Sequence, residues 1–232
     1  YAPWYLYLIA APFLLKACMA WRSLEEHVSA VAAAAKEGEL AGRARVQLMV
    51  SRKTEALSRE QILSGAYESA SENLVDSIAA PLLFFALFGL AGAAAYRAAN
   101  TMDAMLGYRD ERIRLGWFPA RLDDVLNYIP ARITGLVLLG YFSLKGRFGE
   151  AWRGLRADAR KRPGYNGGIP MALIAHGVGV RFEKPGVYTM GTAERSLEEG
   201  GAEIIGVIRA VVLILAGCLC SALFLCWYLA YT

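Results

Sequence analysis

The stretch SIAAPLLFFALFGLAGAAAYRAA, residues 77–99, decides the fold of this chain. It is as apolar as a membrane helix, but Pro81 stands near its start and GLAG, residues 89–92, stands at its centre. Each half has about ten residues, whereas a helix needs about 20 to cross a hydrocarbon core about 30 Å thick. The pattern therefore predicts a broken or re-entrant helical hairpin, whose small residues would let another helix pack closely.

The composition of the whole chain is typical of a membrane protein with substantial polar segments. Of its 232 residues, 56% are hydrophobic and 20% are charged. Besides residues 77–99, apolar segments lie at about 3–21, 133–144 and 204–231, and only the first and last of these fit a simple span. We predict one all-α, multi-pass domain over residues 1–232 in the cytoplasmic (cell) membrane. The chain begins at Tyr1 without a methionine, so we expect an N-terminal portion to be missing.

The polar segments, residues 22–76 and 97–132, have amphipathic helical patterns. One helix is expected to end near Gly38, and another is expected to begin after Ser58 as its N-cap. The Gly- and Pro-rich stretch 160–192 predicts a long ordered loop with room for one short helix. Because the positive-inside rule is satisfied poorly if every apolar segment crosses, we expect at least one middle segment not to cross.

Charge and cysteine usage exclude several classes of protein. The net charge is only +4, from 25 basic and 21 acidic residues that are intermixed, so we expect no nucleic-acid partner. The four cysteines lie in apolar runs and are expected to be reduced packing residues. The chain has no Ser-His-Asp order, CxxC, Walker loop or GxGxxG, which argues against standard hydrolase, P-loop and Rossmann chemistry.

An acidic stripe directly precedes the broken apolar segment. In GAYESASENLVDSIAAP, Glu68, Glu72 and Asp76 recur at i, i+4 and i+8, with Asn73 beside them, so a helix would put the three carboxylates on one face. A solvated acidic face is the ordinary interpretation. We favour a functional site, because unpaired carboxylates are costly next to a membrane and a cation or arginines would offset their repulsion.

The predicted hairpin would bring a second acidic motif back to the same depth in the membrane as the first acidic stripe. NTMDAMLGY, residues 100–108, follows the hairpin, and two arms of nearly equal length would make Asp103 a neighbour of Asp76. Asn100 and Thr101 are equally well explained as a helix cap.

The third polar motif, ARLDDVLNYIPAR, residues 120–132, stands at the edge of the run ITGLVLLGYF. Salt bridges alone would explain the alternation of acid and base in this motif. Oxygen ligands at this density also suit Mg²⁺, which shares a few carboxylates with substrate phosphates, while arginines hold phosphate or carboxylate oxygens. We therefore predict a shared cavity with Mg²⁺ ligands among four residues, Asp76, Asp103, Asp123 and Asp124.

Two further segments are candidate anion sites. VSRKT, residues 50–54, supplies Arg52 near a helix end, where ordinary surface charge is the alternative. In GYNGGIPM, Asn166 and the two glycines after it would present successive backbone N–H groups to an anion, although an ordinary turn explains the motif as well.

The order of these motifs closely resembles that of the adenosylcobinamide-phosphate synthases, membrane proteins of cobalamin (vitamin B12) biosynthesis. The resemblance covers most of residues 14–191. It rests on six segments: LLKACMAWRSLEEHV, ARVQLMVSRKT, YESASENLVDSIAAPLLF, NTMDAMLGYRDERIRLGW, ARLDDVLNYIPARI and YNGGIPMALIAHGVGVRFEKPGVY.

This resemblance implies an ATP-dependent ligase. Its members join (R)-1-amino-2-propanol O-phosphate, or a related amino alcohol phosphate, to the corrinoid adenosylcobyric acid through an amide bond, which needs an activated carboxylate, Mg²⁺ and ATP. The implied partners are these two substrates, the lipid bilayer and other membrane-bound enzymes of the late pathway. The candidate catalytic residues are Glu68, Glu72, Asp103 and Asp124. The candidate substrate-binding residues are Arg52, Asn73, Asn100, Arg121, Asn127, Arg132 and Asn166.

A different functional class is also open. The same scaffold resembles non-catalytic regulatory membrane proteins linked to cell-wall sensing. Loss of the acidic motifs would indicate that class, and this chain retains them.

Overall fold

The structure, a computed structural model, describes residues 4–106 and 113–231, so Gly107 and Tyr108 of the NTMDAMLGY motif lie outside the described residues. Most of the described chain is helical. The helices are α1 Trp4–Cys18, α2 Trp21–Glu37, α3 Glu39–Val46, α4 Arg59–Leu74, α5 Ala80–Leu106, α6 Ile113–Leu126, α7 Tyr128–Leu144, α8 Phe148–Asp158, α9 Gly168–Val178 and α10 Leu197–Tyr231.

Two helix boundaries in the first polar segment confirm the sequence predictions. Gly38 separates α2 from α3. Ser58 caps α4 through a capping box, in which its hydroxyl accepts the N–H of Gln61 and the Gln61 side chain accepts the N–H of Ser58 at 3.0 Å. Both signals are local, because they depend on backbone groups within one helical turn.

The stretch 160–192 is more ordered than the predicted loop. It contains α9, which is the one short helix that the sequence allowed for, and an antiparallel hairpin of β1 Arg181–Lys184 and β2 Tyr188–Gly191, which was not predicted in this mainly helical fold. The sequence signal for α9 is weak, because almost all of its residues are buried and no amphipathic period remains. Its proline, Pro170, lies in the first turn, where a missing N–H costs no hydrogen bond.

The core forms where α2, α4, α7, α9 and α10 meet. The α9 helix packs against α4, α7 and α8, and its side chains at Met171, Leu173 and Ile174 are fully buried. It approaches α7 closely at Gly177, where a Cβ atom would lie 2.2 Å from Phe142 Cζ. This packing fixes the loop before α9 against the acidic end of α4.

A π-helical turn, Val75–Ala79, joins α4 to α5. A π turn holds one more residue than an α turn, so side chains after it are rotated relative to those before it. Glu68 and Glu72 precede the turn and Asp76 lies within it. Glu72 and Asp76 remain close enough for their charges to interact across the start of this turn.

The α5 helix is interrupted at Gly89, where the backbone is non-helical with φ 66° and ψ −158°. Beyond this point the Tyr96 hydroxyl lies 3.1 Å from the Asp76 carbonyl oxygen, and the Tyr96 ring stacks on Phe84 with centroids 5.2 Å apart. In a continuous helix, residues 76 and 96 would be about 30 Å apart at 1.5 Å per residue. The two arms of α5 therefore lie side by side.

Gly89→Ala should lower the free energy of unfolding by about 1–3 kcal/mol, because only glycine adopts this backbone conformation without strain. Crowding would contribute little, since the new Cβ atom would lie 3.4 Å from the Tyr7 hydroxyl oxygen. Thermal unfolding in detergent would measure the change. Gly140→Ala in α7 is the control: it is helical with no neighbouring atom within 4 Å, and it should not destabilise. Equal stabilities of the two variants would contradict a required break at Gly89.

Within the described ranges, two helices are long and apolar enough to cross a membrane, Arg59–Leu106 and Leu197–Leu229. The pair α6 and α7, which meet at 42°, would make a third if it forms one bent span. The third apolar run, residues 133–144, is short because it is only the last part of α7, which begins at Tyr128 inside the LDDVLNYIPAR motif. The described α1 has only 15 residues and is shorter than a simple span.

Candidate functional site

A cavity of about 270 Å³ lies between α4, the loop after α3, the loop after α8 and the β-hairpin. Three cations line it, namely Arg52, Arg162 and Lys184. Glu68 and Glu72 line the α4 side, one helical turn apart. Such a concentration of arginine and lysine around a small cavity favours an anionic ligand.

Glu68 holds one wall of this cavity together. Its buried carboxylate pairs with Arg52 Nη2 at 2.9 Å and accepts hydrogen bonds from Ser64 Oγ at 2.6 Å and from the Tyr188 hydroxyl. Burial raises the pKa of Tyr188, and the neighbouring Glu68 carboxylate raises it further, so the hydroxyl stays protonated and donates. Arg52 also donates to the Glu183 carbonyl at 3.3 Å. Glu68 thus positions Arg52 and Tyr188.

Arg162 and Glu72 form the opposite wall as an ion pair. The guanidinium also donates to the Pro163 carbonyl oxygen at 2.9 Å. Gly167 leaves room for it, since a Cβ atom there would lie 2.9 Å from Arg162 Cζ. The second glycine of the motif, Gly168, faces the Ala159 carbonyl, where a Cβ atom would clash at 2.0 Å. These glycines are therefore required for close packing around Arg162.

A hydrogen-bonded acidic cluster lies next to this cavity. Asp123 accepts the side-chain amides of Asn100 at 3.1 Å and Asn127 at 2.9 Å, one on each carboxylate oxygen. The Tyr96 hydroxyl donates to the Asn127 side-chain oxygen at 2.7 Å. Asn127 is buried. This network ties the second arm of α5 to the end of α6 and fixes the orientation of Asp123.

The structure brings together five predicted carboxylates from three segments of the chain. Asp76 and Asp103 are close enough for their charges to repel each other, and both also interact with Glu72 and Asp123. Asp124 interacts with Asp103 and Asp123. The Arg162 guanidinium offsets part of this repulsion. The cationic cavity and the acidic cluster therefore adjoin each other through Glu72 and Arg162.

Two predicted arginines lie away from the cavity lining. Arg132 stacks on the Tyr128 ring, 3.6 Å from its centroid, and donates to the Asn166 side chain at 2.6 Å. Asn166 in turn donates to the Asp124 carbonyl oxygen at 2.8 Å. Arg121 is exposed and lies 3.6 Å from the Asp124 carboxylate. Arg132 and Asn166 therefore connect the loop before α9 to the start of α7.

Asn73 forms its hydrogen bonds within its own helical segment. Its amide donates to the Ser69 carbonyl at 2.9 Å, and its side-chain oxygen accepts from Ser77 Oγ at 2.7 Å. Ser77 in turn lies 3.4 Å from an Arg97 nitrogen, which connects this segment to the second arm of α5.

Comparison with known proteins assigns the chain to a family. The family model described as CobD/Cbib protein matches residues 1–214. The chain belongs to the CobD/Cbib family. A probable cobalamin biosynthesis protein CobD from Thermococcus kodakarensis is 44% identical over 232 residues, which cover 96% of this chain and 75% of the relative.

Two further relatives carry the same name. The one from Methanothermobacter thermautotrophicus is 46% identical over 189 residues, covering 79% of this chain and 63% of the relative. The one from Archaeoglobus fulgidus is 40% identical over 211 residues, covering 90% and 66%. This CobD/Cbib chain thus spans less than two thirds of the length of the Methanothermobacter relative. No solved structure matches it.

The side chains of the acidic cluster limit how a metal ion could be held. In residues 4–106 and 113–231, no three His, Cys, Asp or Glu side chains are grouped closely enough to hold one. Both oxygens of Asp123 also accept amide hydrogens. Mg²⁺ commonly takes only one or two protein carboxylates when phosphates and waters complete its shell. A phosphate-bound Mg²⁺ would therefore need fewer carboxylates than this cluster contains.

Three residues of the cavity lining were not predicted from the sequence: Arg162, Lys184 and Tyr188. Arg162 had a weak signal, because the basic run RKR directly precedes PGYNGG. The other two had none, because they reach the cavity only through the β-hairpin. That hairpin places Tyr188 against Glu68, 120 residues away in sequence.

Proposed function

We propose that this chain catalyses the ATP-dependent ligation of (R)-1-amino-2-propanol O-phosphate, or a related amino alcohol phosphate, to adenosylcobyric acid in cobalamin biosynthesis. The product would be adenosylcobinamide phosphate. Membership of the CobD/Cbib family supports a role in this pathway, because the relatives are named as probable cobalamin biosynthesis proteins.

The observation that carries the proposal is the cationic cavity beside the acidic cluster. An amino alcohol phosphate has a phosphate at one end and an ammonium group at the other. Arg52, Arg162 and Lys184 suit the phosphate, and the carboxylates next to Glu72 suit the ammonium group. The cavity, at about 270 Å³, is smaller than the ~300–1,000 Å³ of sites for drug-sized ligands, which favours this small substrate over a whole corrinoid.

The acidic cluster also suits the chemistry of amide formation. The ammonium group must lose a proton before its nitrogen attacks the activated corrinoid carboxyl group, an acyl phosphate in this proposal. A carbon–nitrogen bond then forms, the carbon–oxygen bond to the phosphate breaks, and phosphate leaves. A carboxylate accepts the amine proton. We assign this role to Asp124, whose carboxylate has Arg121 as its ionic contact, at 3.6 Å.

Mg²⁺ and ATP are part of the proposal. Bound Mg²⁺ would neutralise phosphate charge during activation of the carboxyl group. The residues that would hold it with the phosphates are drawn from Asp76, Asp103, Asp123 and Asp124. Arg162 lies close enough to Asp76 and Asp103 for its charge to act on them, so it would also counter phosphate charge there.

The proposed location is the cell membrane, with the site on one face. We propose that the two arms of α5 form a re-entrant hairpin, because the reversal at Gly89 returns Asp103 to Asp76. A membrane position would also allow contact with other membrane-bound enzymes of the late pathway. Both substrates would then approach from the face that carries the acidic cluster.

The test is an assay of the purified protein with adenosylcobyric acid, ATP, Mg²⁺ and aminopropanol phosphate. We expect a corrinoid amide product, with ATP consumption that depends on both other substrates. Reactions that lack one component each serve as controls. If neither product nor ATP turnover appears, and a form extended at its amino terminus is equally inactive, the regulatory or binding role on the same scaffold is favoured.

A further inference from the structure

A second cavity, of about 500 Å³, lies outside the proposed site, between α2, α4 and α10. Its α10 lining extends from Glu198 to Arg209, about 16 Å along the helix axis at 1.5 Å per residue. The cavity is therefore elongated along α10. Small side chains on two facing helices leave the space open: Ala32, Ala33, Gly201 and Ala202.

The lining combines apolar walls with an excess of positive charge. Val28, Leu63 and Ile205 contribute apolar surface. Three cations line the cavity, Lys36, Arg59 and Arg209, against one carboxylate, Glu198. Arg59 pairs with Glu198 at 3.0 Å, and Arg209 pairs with Glu25 outside the lining at 2.7 Å. Lys36 is exposed and has no ion pair within the described part of the chain, so it is available to a ligand.

Tyr67 supplies an unused hydrogen-bonding group in this cavity. Its side chain is 5% exposed, and its hydroxyl has no hydrogen-bond partner among the described residues. The hydroxyl points at Gly201, where a Cβ atom would lie 1.9 Å from the oxygen. A second donor in the cavity lining, Arg59 Nε, is buried without an acceptor in the described chain. Buried polar groups are normally satisfied, so Arg59 Nε indicates a ligand with oxygen atoms, and the Tyr67 hydroxyl in the same lining can donate to that ligand.

The position of α10 indicates where this ligand comes from. One turn after Arg209, Leu213 is 63% exposed, and large exposed apolar side chains continue along the helix. A ligand that leaves the cavity at Arg209 therefore meets the lipid-facing surface of a helix long enough to span a membrane. Trp21 donates to the same Glu25 that pairs with Arg209, at 2.7 Å, and tryptophan is enriched at membrane interfaces.

We propose that this cavity binds the headgroup of an anionic phospholipid from the bilayer, with Tyr67 and Lys36 on the phosphate and glycerol oxygens and the acyl chains along α10. Charge selects an anionic lipid, and the apolar walls accommodate the first carbons of the chains. The inference concerns lipid binding and is independent of the ligase proposal.

The test is native mass spectrometry of the whole protein, released from nanodiscs of phosphatidylcholine mixed with phosphatidylglycerol. We expect retention of phosphatidylglycerol in preference to phosphatidylcholine. Tyr67→Phe removes a hydroxyl without a protein partner in the described chain, so the fold should persist while retention falls about tenfold. Lys36→Gln should have a similar effect. Lys145→Gln, an exposed cation outside the cavity at the end of α7, is the control and should retain the lipid as the parent does.

Three outcomes would overturn the proposal. The first is equal retention of both lipids. The second is unchanged retention in Tyr67→Phe and Lys36→Gln, or an equal loss in Lys145→Gln. The third is thermal stabilisation by glycerol 3-phosphate or inorganic phosphate as large as that by short-chain phosphatidylglycerol, because the site would then take a soluble phosphate. None of these measurements depends on turnover.

Discussion

Asp124→Asn should lower the rate of amide formation by about 10²- to 10⁴-fold and leave the protein folded, because it removes the proposed proton acceptor. The Asp124 carboxylate is 32% exposed, and its ion pair with Arg121 is long, at 3.6 Å. Exposed pairs of this kind contribute about 0–1 kcal/mol, so the substitution should barely change stability. Single-turnover product formation and thermal unfolding would be measured on the same preparation.

Glu150→Gln is the matched control for this substitution. Glu150 forms an i, i+3 pair with Arg153 at 3.7 Å and is 37% exposed, so its surroundings closely match those of Asp124. It lies on α8, outside the acidic cluster. We expect full activity from this control. If Asp124→Asn turns over as fast as Glu150→Gln, then Asp124 has no part in the reaction.

Glu68→Gln should lower the free energy of unfolding by about 3–5 kcal/mol, the usual cost of removing one partner of a buried ion pair. Arg52 is 13% exposed and Glu68 4%, so a neutral amide would leave the Arg52 guanidinium buried without its counter-ion. The hydrogen bonds from Ser64 and Tyr188 to the carboxylate would also weaken. Chemical unfolding in detergent would measure the loss.

A double-mutant cycle separates the ion pair from other effects of this change. Arg52→Met in the Glu68→Gln background removes the unpaired charge, so the double variant should be more stable than the sum of the single effects predicts. Strictly additive effects would show that Arg52 and Glu68 do not act as a pair.

Local signals predicted the features that depend on one or two turns of chain. The Ser58 cap and the end of α2 at Gly38 are set by backbone groups within a few residues. The interruption of α5 at Gly89 was indicated by two glycines in a segment whose halves are too short to cross a membrane. Once the arms fold back, Asp103 and Asp76 become neighbours, so part of the acidic cluster followed from sequence.

The other parts of the fold and of the candidate site depend on contacts between residues far apart in sequence, which the sequence does not reveal. Arg162 meets Glu72 across 90 residues, because α9 and the loop before it pack against α4. That arrangement requires the burial of α9 against α4, α7 and α8, which are not its neighbours along the chain except for α8. The extra residue of the π turn at 75–79 has no compositional signature, so the rotation of the side chains that follow it was not predictable.

The π turn also bears on how this segment tolerates insertions and deletions. Loss of a single residue between 75 and 79 would restore an ordinary α turn and swing everything after it by about 100° around the helix axis. Tyr96, which lies beyond that point, would then turn away from its hydrogen-bond partner Asn127, and Asp103 would turn away from the acidic cluster. The number of residues between Glu72 and the second arm of α5 is therefore fixed, even at positions where the side chain itself can be replaced.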